Sequence, residues 1–241
     1  MKTVLVLSLI ITAVGFVIAG GNKFKQDVIK TSIGKLTITF IGHGTLILEV
    51  NGKVIHVDPW TQLADYTTLP KADAILITHM HFDHLDPKAI DEISKPSTQI
   101  IEPPTVFDTL HKGIVMKSGE TQTILGIKVE AVPAYNTTKG RDEFHPKGRD
   151  NGYVLTVGDK RIYIAGDTEN IPEMAALKNI DIAFLPMNQP YTMLPEQVVA
   201  AVKMFHPKIL YPYHYGETDP PVLKKLLSSD HIVELRIRPM K

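Results

Sequence analysis

Residues 78–86 read THMHFDHLD and follow directly on the apolar run Ala74-Ile75-Leu76-Ile77. Three histidines and two aspartates within nine residues, at the end of a buried strand, require a fold that gathers strand ends around one polar rim. In an extended loop, residues two apart point the same way. His79 and His81 can therefore grip one metal ion, while Asp83 and His84, a turn later, face a second. The chain has no cysteine, so disulfides, thiolate ligands and a thiol nucleophile are excluded and any metal must be held by nitrogen and oxygen.

Strand patterns surround this motif at residues 35–41, 45–50, 53–57, 74–78, 127–132, 153–157, 161–165, 182–186 and 209–213, with Asn51-Gly52 and Gly158-Asp159 as tight turns. Helices are predicted from Pro87 through Ser94, capped by Asp86, from Pro195 through Phe205, and over residues 222–227. Strand blocks with helices between them predict a layered α/β sandwich. The strand-rich halves, around 35–132 and 152–213, read as a diverged duplication. With 241 residues and 44% hydrophobic content the chain suffices for one large core. Lysine plus arginine equals aspartate plus glutamate, 26 each, so no global field draws the molecule to nucleic acid.

The amino terminus differs from the rest. Residues 1–21 carry one lysine and then an apolar run to Ala19, a pattern expected of an export signal peptide or an amino-terminal membrane anchor. Residues 22–32 read as a polar linker, leaving 33–241 as the folded domain.

Two further ligands are expected at strand ends: Asp167, in Gly166-Asp167-Thr168 after the strand at 161–165, and His214 after Ile209–Tyr213. The order His-X-His-X-Asp-His, Gly-Asp-Thr and a late strand ending in histidine resembles the metallo-β-lactamase superfamily. The resemblance covers about residues 33–217 and implies a four-layer αββα sandwich with a one- or two-metal hydrolytic site. Ile41-Gly42-His43-Gly44-Thr45, Asp58-Pro59-Trp60 and Tyr191-Thr192-Met193 make it most similar to the branch holding ascorbate-6-phosphate lactonase-like and N-acylphosphatidylethanolamine phospholipase D-like proteins.

One position departs from that pattern. The resemblance implies a further ligand histidine after the strand ending near Val132, where this chain has Asn136. His145, nine residues on in a long polar loop over 137–151, is taken as the replacement ligand, or else as a substrate contact. His43 is taken as a proton donor or substrate contact, and Asp58 as the acceptor that braces a ligand histidine. His56 reads as structural, and His111, His206 and His231 as surface residues.

The expected ions are two divalent metals, zinc first, with manganese, iron, cobalt or nickel compatible with the same ligands. Asp83 and Asp167 leave such a centre net positive even with a metal-bridged hydroxide, which suits ester, lactone or phosphodiester hydrolysis. Asp83 would orient the nucleophile and His43 would protonate the leaving group. Lys139, Arg141, Lys147 and Arg149 on the long loop either bind a substrate anion or face solvent. The expected partner is a small-molecule or lipid substrate, with residues 1–21 bringing the chain to a membrane. The competing classes are a nuclease of the same fold and a metal-binding module without turnover.

Overall fold

The computed structural model describes residues 14–19, 22–228 and 233–241. Two sheets face one another. The first runs in strand order through β1 (Val14–Ala19), β2 (Asn22–Thr31), β3 (Gly34–Gly42), β4 (Thr45–Val50), β5 (Lys53–Val57), β6 (Ala74–Leu76), β7 (Gln99–Glu102) and β8 (Ile114–Val115). The second holds β9 (Thr121–Ile124), β10 (Ile127–Ala134), β11 (Asp150–Val157), β12 (Lys160–Ile164), β13 (Ile182–Pro186), β14 (Ile209–Tyr213) and β15 (Glu234–Leu235). Each sheet begins as an antiparallel meander and becomes parallel at β5 and β12 respectively, so the two halves repeat one winding scheme.

Strand alternation builds the layers. Leu36, Ile38 and Phe40 of β3 meet Tyr153 and Leu155 of β11 in the core between the sheets. Val154 and Tyr163 turn outward and are covered by α3 (Pro195–Phe205) and α4 (Val222–Leu226). On the opposite face Ile47, Ile75 and Ile100 pack under α1 (Pro87–Ile93) and α2 (Pro104–Leu110). The expected αββα order is thus met. Asp86 caps α1 by accepting from the Lys88 and Ala89 amides, as its sequence predicts.

Two differences from expectation stand out. Asn22–Thr31 is a ten-residue strand rather than a linker, paired with β3 from Lys25 to Thr31. Two of its polar residues are buried with partners: Gln26 donates to Thr39 Oγ1 at 2.8 Å, and Asp27 accepts from Arg238 and from Tyr211 Oη. The elements β7, β8, β9, β15 and α2 were not expected, because they are short and carry too few apolar positions to show a period. The leader or anchor expected over residues 1–21 lies largely outside the described residues. Within it the Val14–Ala19 backbone pairs antiparallel with residues 22–27. Among the described residues no helix is long and apolar enough to cross a membrane.

Candidate metal centre

The parallel strands deliver their carboxyl ends to one rim. Asp58 follows β5, His79 follows β6, Asp167 follows β12 and His214 follows β14, while His43 sits in the turn between β3 and β4. His43, Asp58 and His214 have φ of 51°, 43° and 44°, a left-handed conformation that costs non-glycine residues about 1 kcal/mol or more each and gathers at functional sites. Gly44 is required by closeness: a Cβ there would lie 2.6 Å from His84 Cε1.

Asp167 occupies the middle. Its Oδ2 lies 3.4 Å from both His145 Nε2 and His214 Nε2 and 4.0 Å from His79 Nε2, and its Oδ1 lies 3.6 Å from His84 Nε2. On one side His79, His81 and His145 form a group, and on the other His43, Asp83, His84 and His214 form a second. All eight site residues read from the sequence are therefore brought together. His56, by contrast, is buried elsewhere and bonded to the Pro70 carbonyl oxygen, and His111 and His206 are exposed. His231 lies outside the described residues.

The chemistry of this donor set fits metal ions. Buried polar atoms are ordinarily hydrogen-bonded, yet His84 Nε2, His145 Nε2, His214 Nε2 and Asp167 Oδ1 are buried, converge on one another and have no hydrogen-bond partner. The opposite edges of His84 and His145, and of His79 beside them, are held. His84 Nδ1 donates to Asp58 Oδ2 at 2.8 Å, and Thr78 Oγ1 donates to the same oxygen at 2.6 Å. With its proton so committed, Thr78 Oγ1 can only accept from His79 Nδ1 at 2.9 Å. His145 Nδ1 donates to the Tyr191 carbonyl oxygen at 3.2 Å. Each bond fixes the tautomer that leaves Nε2 unprotonated, that of His79 lying 3.1 Å from His81 Nδ1.

For His79 and His145 electrostatics act in the same direction. Burial, reinforced by neighbouring imidazoles, pushes the His79 pKa well below the ordinary value. Burial also brings His145 down to about 4, and both rings are neutral and ready to coordinate at neutral pH. For His84 burial also acts downward, but Asp167 and Asp58 outweigh it and raise the pKa to about 9. Burial would raise Asp83, yet the His214 imidazole 3.8 Å away and the hydrogen-bonded His43 hold it well below the usual carboxylate range. His43 Nε2 lies 3.0 Å from Asp83 Oδ2, and its ring packs against that of His214, tilted by 39°, with centroids 3.6 Å apart.

Asn136 plays a different part from the histidine it replaces. Its side-chain amide donates to the backbone oxygens of Tyr191 and Arg141, and its backbone amide accepts no ligand role but donates to the His145 carbonyl oxygen at 2.8 Å. It thereby folds the long loop back so that His145 reaches the cluster. Three of the loop's cations are engaged: Arg149 with Asp150, Lys147 with Glu173 and Arg141 near Glu169, while Lys139 is exposed. Thr78 and the Tyr191 carbonyl were missed as braces. A threonine beside a ligand histidine carries a weak signal, and a backbone oxygen carries none.

A cavity of about 530 Å³ opens onto the cluster, lined by His81, Asp83, His145, Asp167 and His214 together with Met80, Phe82, Phe144, Asn188 and Tyr191.

Comparison with known proteins gives concordant results. The model of the beta-lactamase superfamily domain matches residues 37–214. A UPF0173 metal-dependent hydrolase of Ligilactobacillus salivarius (strain UCC118) is 34% identical over 199 residues, covering 78% of this chain and 88% of that protein. A crystal structure from Parabacteroides distasonis ATCC 8503 is 57% identical, with a TM-score of 0.88 over 90% of this chain and 100% of that one. Igni18, a metallo hydrolase from Ignicoccus hospitalis KIN4/I, is 26% identical with a TM-score of 0.72, over 86% and 96% of the two chains.

Proposed function

The chain belongs to the metallo-β-lactamase superfamily, and from that premise we propose that it is a metal-dependent hydrolase that uses two divalent ions, zinc first, on an ester, lactone or phosphodiester. The observation that carries this reading is the convergence of the bare Nε2 atoms of His84, His145 and His214 on Asp167. His79, His81, His145 and Asp167 would hold one ion, and Asp83, His84, His214 and Asp167 the other. Bound there, the ions would supply a lowered water pKa and a polarised scissile oxygen.

The chain's own residues do the rest. Asp83, on the cavity floor, orients the attacking water, and its ionised state is secured by His43 and His214. His43, held to Asp83 and kept neutral by burial, is placed to take the proton released by the attacking water and pass it to the leaving group. Asp58, through His84 and Thr78, keeps the ligand rings in register. The Ile41–Thr45, Asp58–Trp60 and Tyr191–Met193 segments support placement in the lactonase-like and phospholipase D-like branch. We read residues 1–21 as an export leader or anchor and the substrate as a small molecule or lipid, not a nucleic acid.

The test is metal content per chain by plasma mass spectrometry, with hydrolysis of generic ester, lactone and phosphodiester substrates, on the parent and on His145→Ala. Two ions in the parent, a clear loss in the variant and metal-dependent turnover are expected. One ion or none in a metal-replete parent would overturn the two-ion reading, and two ions without turnover on any class would favour a binding module.

A further inference from the structure

The two positions between the ligands of the first motif, Met80 and Phe82, have no part in holding metal. Apolar side chains of this size are ordinarily withdrawn from water. Among the described residues only seven large apolar side chains are more than a third exposed, and Met80, Phe82 and Tyr191 all line the one cavity over the metal centre. Phe82 is 76% exposed, the most of any. Phe144 completes the wall, packed edge-on against Tyr191 with ring centroids 5.0 Å apart. Apolar side chains left open to solvent around a cavity beside a polar centre mark a recognition surface.

Charge sharpens the assignment. No lysine or arginine is among the described residues that line the cavity. Arg149, whose Nη2 lies 3.4 Å from His81 Nε2, is bound to both carboxylate oxygens of Asp150 and to the Phe144 carbonyl oxygen. A second anionic group on the substrate would find no counter-charge here outside the ions, whereas an apolar one would cover four side chains. Resting on the hydrolase reading above, we propose that Met80, Phe82, Phe144 and Tyr191 form a specificity subsite for an uncharged alkyl or aromatic group carried next to the scissile bond.

Trp60 provides a readout that needs no turnover. It is the single tryptophan of the chain, and its ring lies 5.9 Å from that of Phe82, edge-on. The full chain, with and without metal, is titrated with monomeric straight-chain amides from butanamide to decanamide, neutral mimics of an ester, while Trp60 emission is followed. Affinity is expected to rise about two- to fourfold per added methylene, the range set by partial to full burial of each group. An amide ending in a carboxylate should bind more weakly than its neutral equal. Met80→Ser combined with Tyr191→Ser, both at exposed positions and leaving the Trp60–Phe82 pair in place, should flatten the dependence on chain length.

Affinity indifferent to chain length, an unchanged slope in the double variant, or an emission change with lipid vesicles but not with monomeric amides would each overturn the subsite. Parallel turnover assays separate this from the parent reading. Metal-dependent hydrolysis of esters with kcat/KM indifferent to acyl length would sink the subsite alone. A chain-length series in binding with no hydrolysis of any ester would keep the subsite and sink the hydrolase.

Discussion

Asp58→Asn is the most informative single change, because one carboxylate oxygen braces both halves of the metal centre. Asp58 is fully buried; its Oδ2 accepts from His84 Nδ1 and Thr78 Oγ1, and its Oδ1 accepts from the Thr78 amide at 2.8 Å. Alanine would leave three buried donors unpaired at about 1–3 kcal/mol each, a large share of the stability of an ordinary domain. Asparagine keeps the shape and one acceptor oxygen, which the Thr78 amide retains. Its NH2 group then faces His84 Nδ1, which must become an acceptor, so the proton moves to Nε2 and the ring can no longer ligate. Thr78 Oγ1 loses its acceptor as well and is free to turn its proton toward His79 Nδ1, with the same consequence there. Loss of such a brace costs about 10–100-fold in metal affinity, or about 1.4–2.7 kcal/mol per site. Competition against a chromogenic chelator, with circular dichroism to show that the fold survives, measures it. Both ions should be weakened, and the one held by His84 more. A folded variant that binds both ions with parent affinity would refute the tautomer argument.

Two further outcomes test the fold around the site. Glu102 on β7 is fully buried with neither carboxylate oxygen hydrogen-bonded, and desolvation, opposed by Lys112, pushes its pKa from 4.5 up to about 7. The carboxyl is neutral in both states below pH 4.5, and above 7 it is buried as a charge, so stability falls as pH rises through this window. Glu102→Gln should therefore raise Tm at pH 8 and leave it nearly unchanged at pH 4.5; an equal shift at both would refute the assignment. Asp27→Asn removes the buried charge that pairs with Arg238 at 2.6 Å and accepts from Tyr211 Oη at 2.5 Å. A loss of about 3–5 kcal/mol in denaturant unfolding is expected, and a loss under 1 kcal/mol would show that the pair is not held in solution.

The metal motif was legible because its information is local. His79, His81, Asp83 and His84 follow one short strand, so sequence spacing alone sets their mutual reach. Asp167 and His214 were legible by the same rule, each ending a recognisable apolar strand. The layered α/β character followed from alternation and helix caps, which are also short-range, whereas the αββα order was what the family resemblance implied. Residues 22–32 misled because composition reports polarity and not partners: the cation that neutralises Asp27 lies 211 positions along the chain. His145 stood open for a related reason. Its reach to Asp167 depends on Asn136 and Glu169 folding a fifteen-residue excursion back over the site, and no spacing rule describes a loop closed by hydrogen bonds to other elements.

The sequence by itself determined the donor types, their division into two groups and the sandwich that carries them, since these follow from periodicity and from residues a few positions apart. Only the tertiary structure decided which nitrogen of His84 and of His145 is bare, that three of the loop cations are already paired, and that Met80, Phe82, Phe144 and Tyr191 line one cavity. Those are properties of distance and orientation between separate elements. They are set by the packing of two sheets, and a one-dimensional pattern does not encode them.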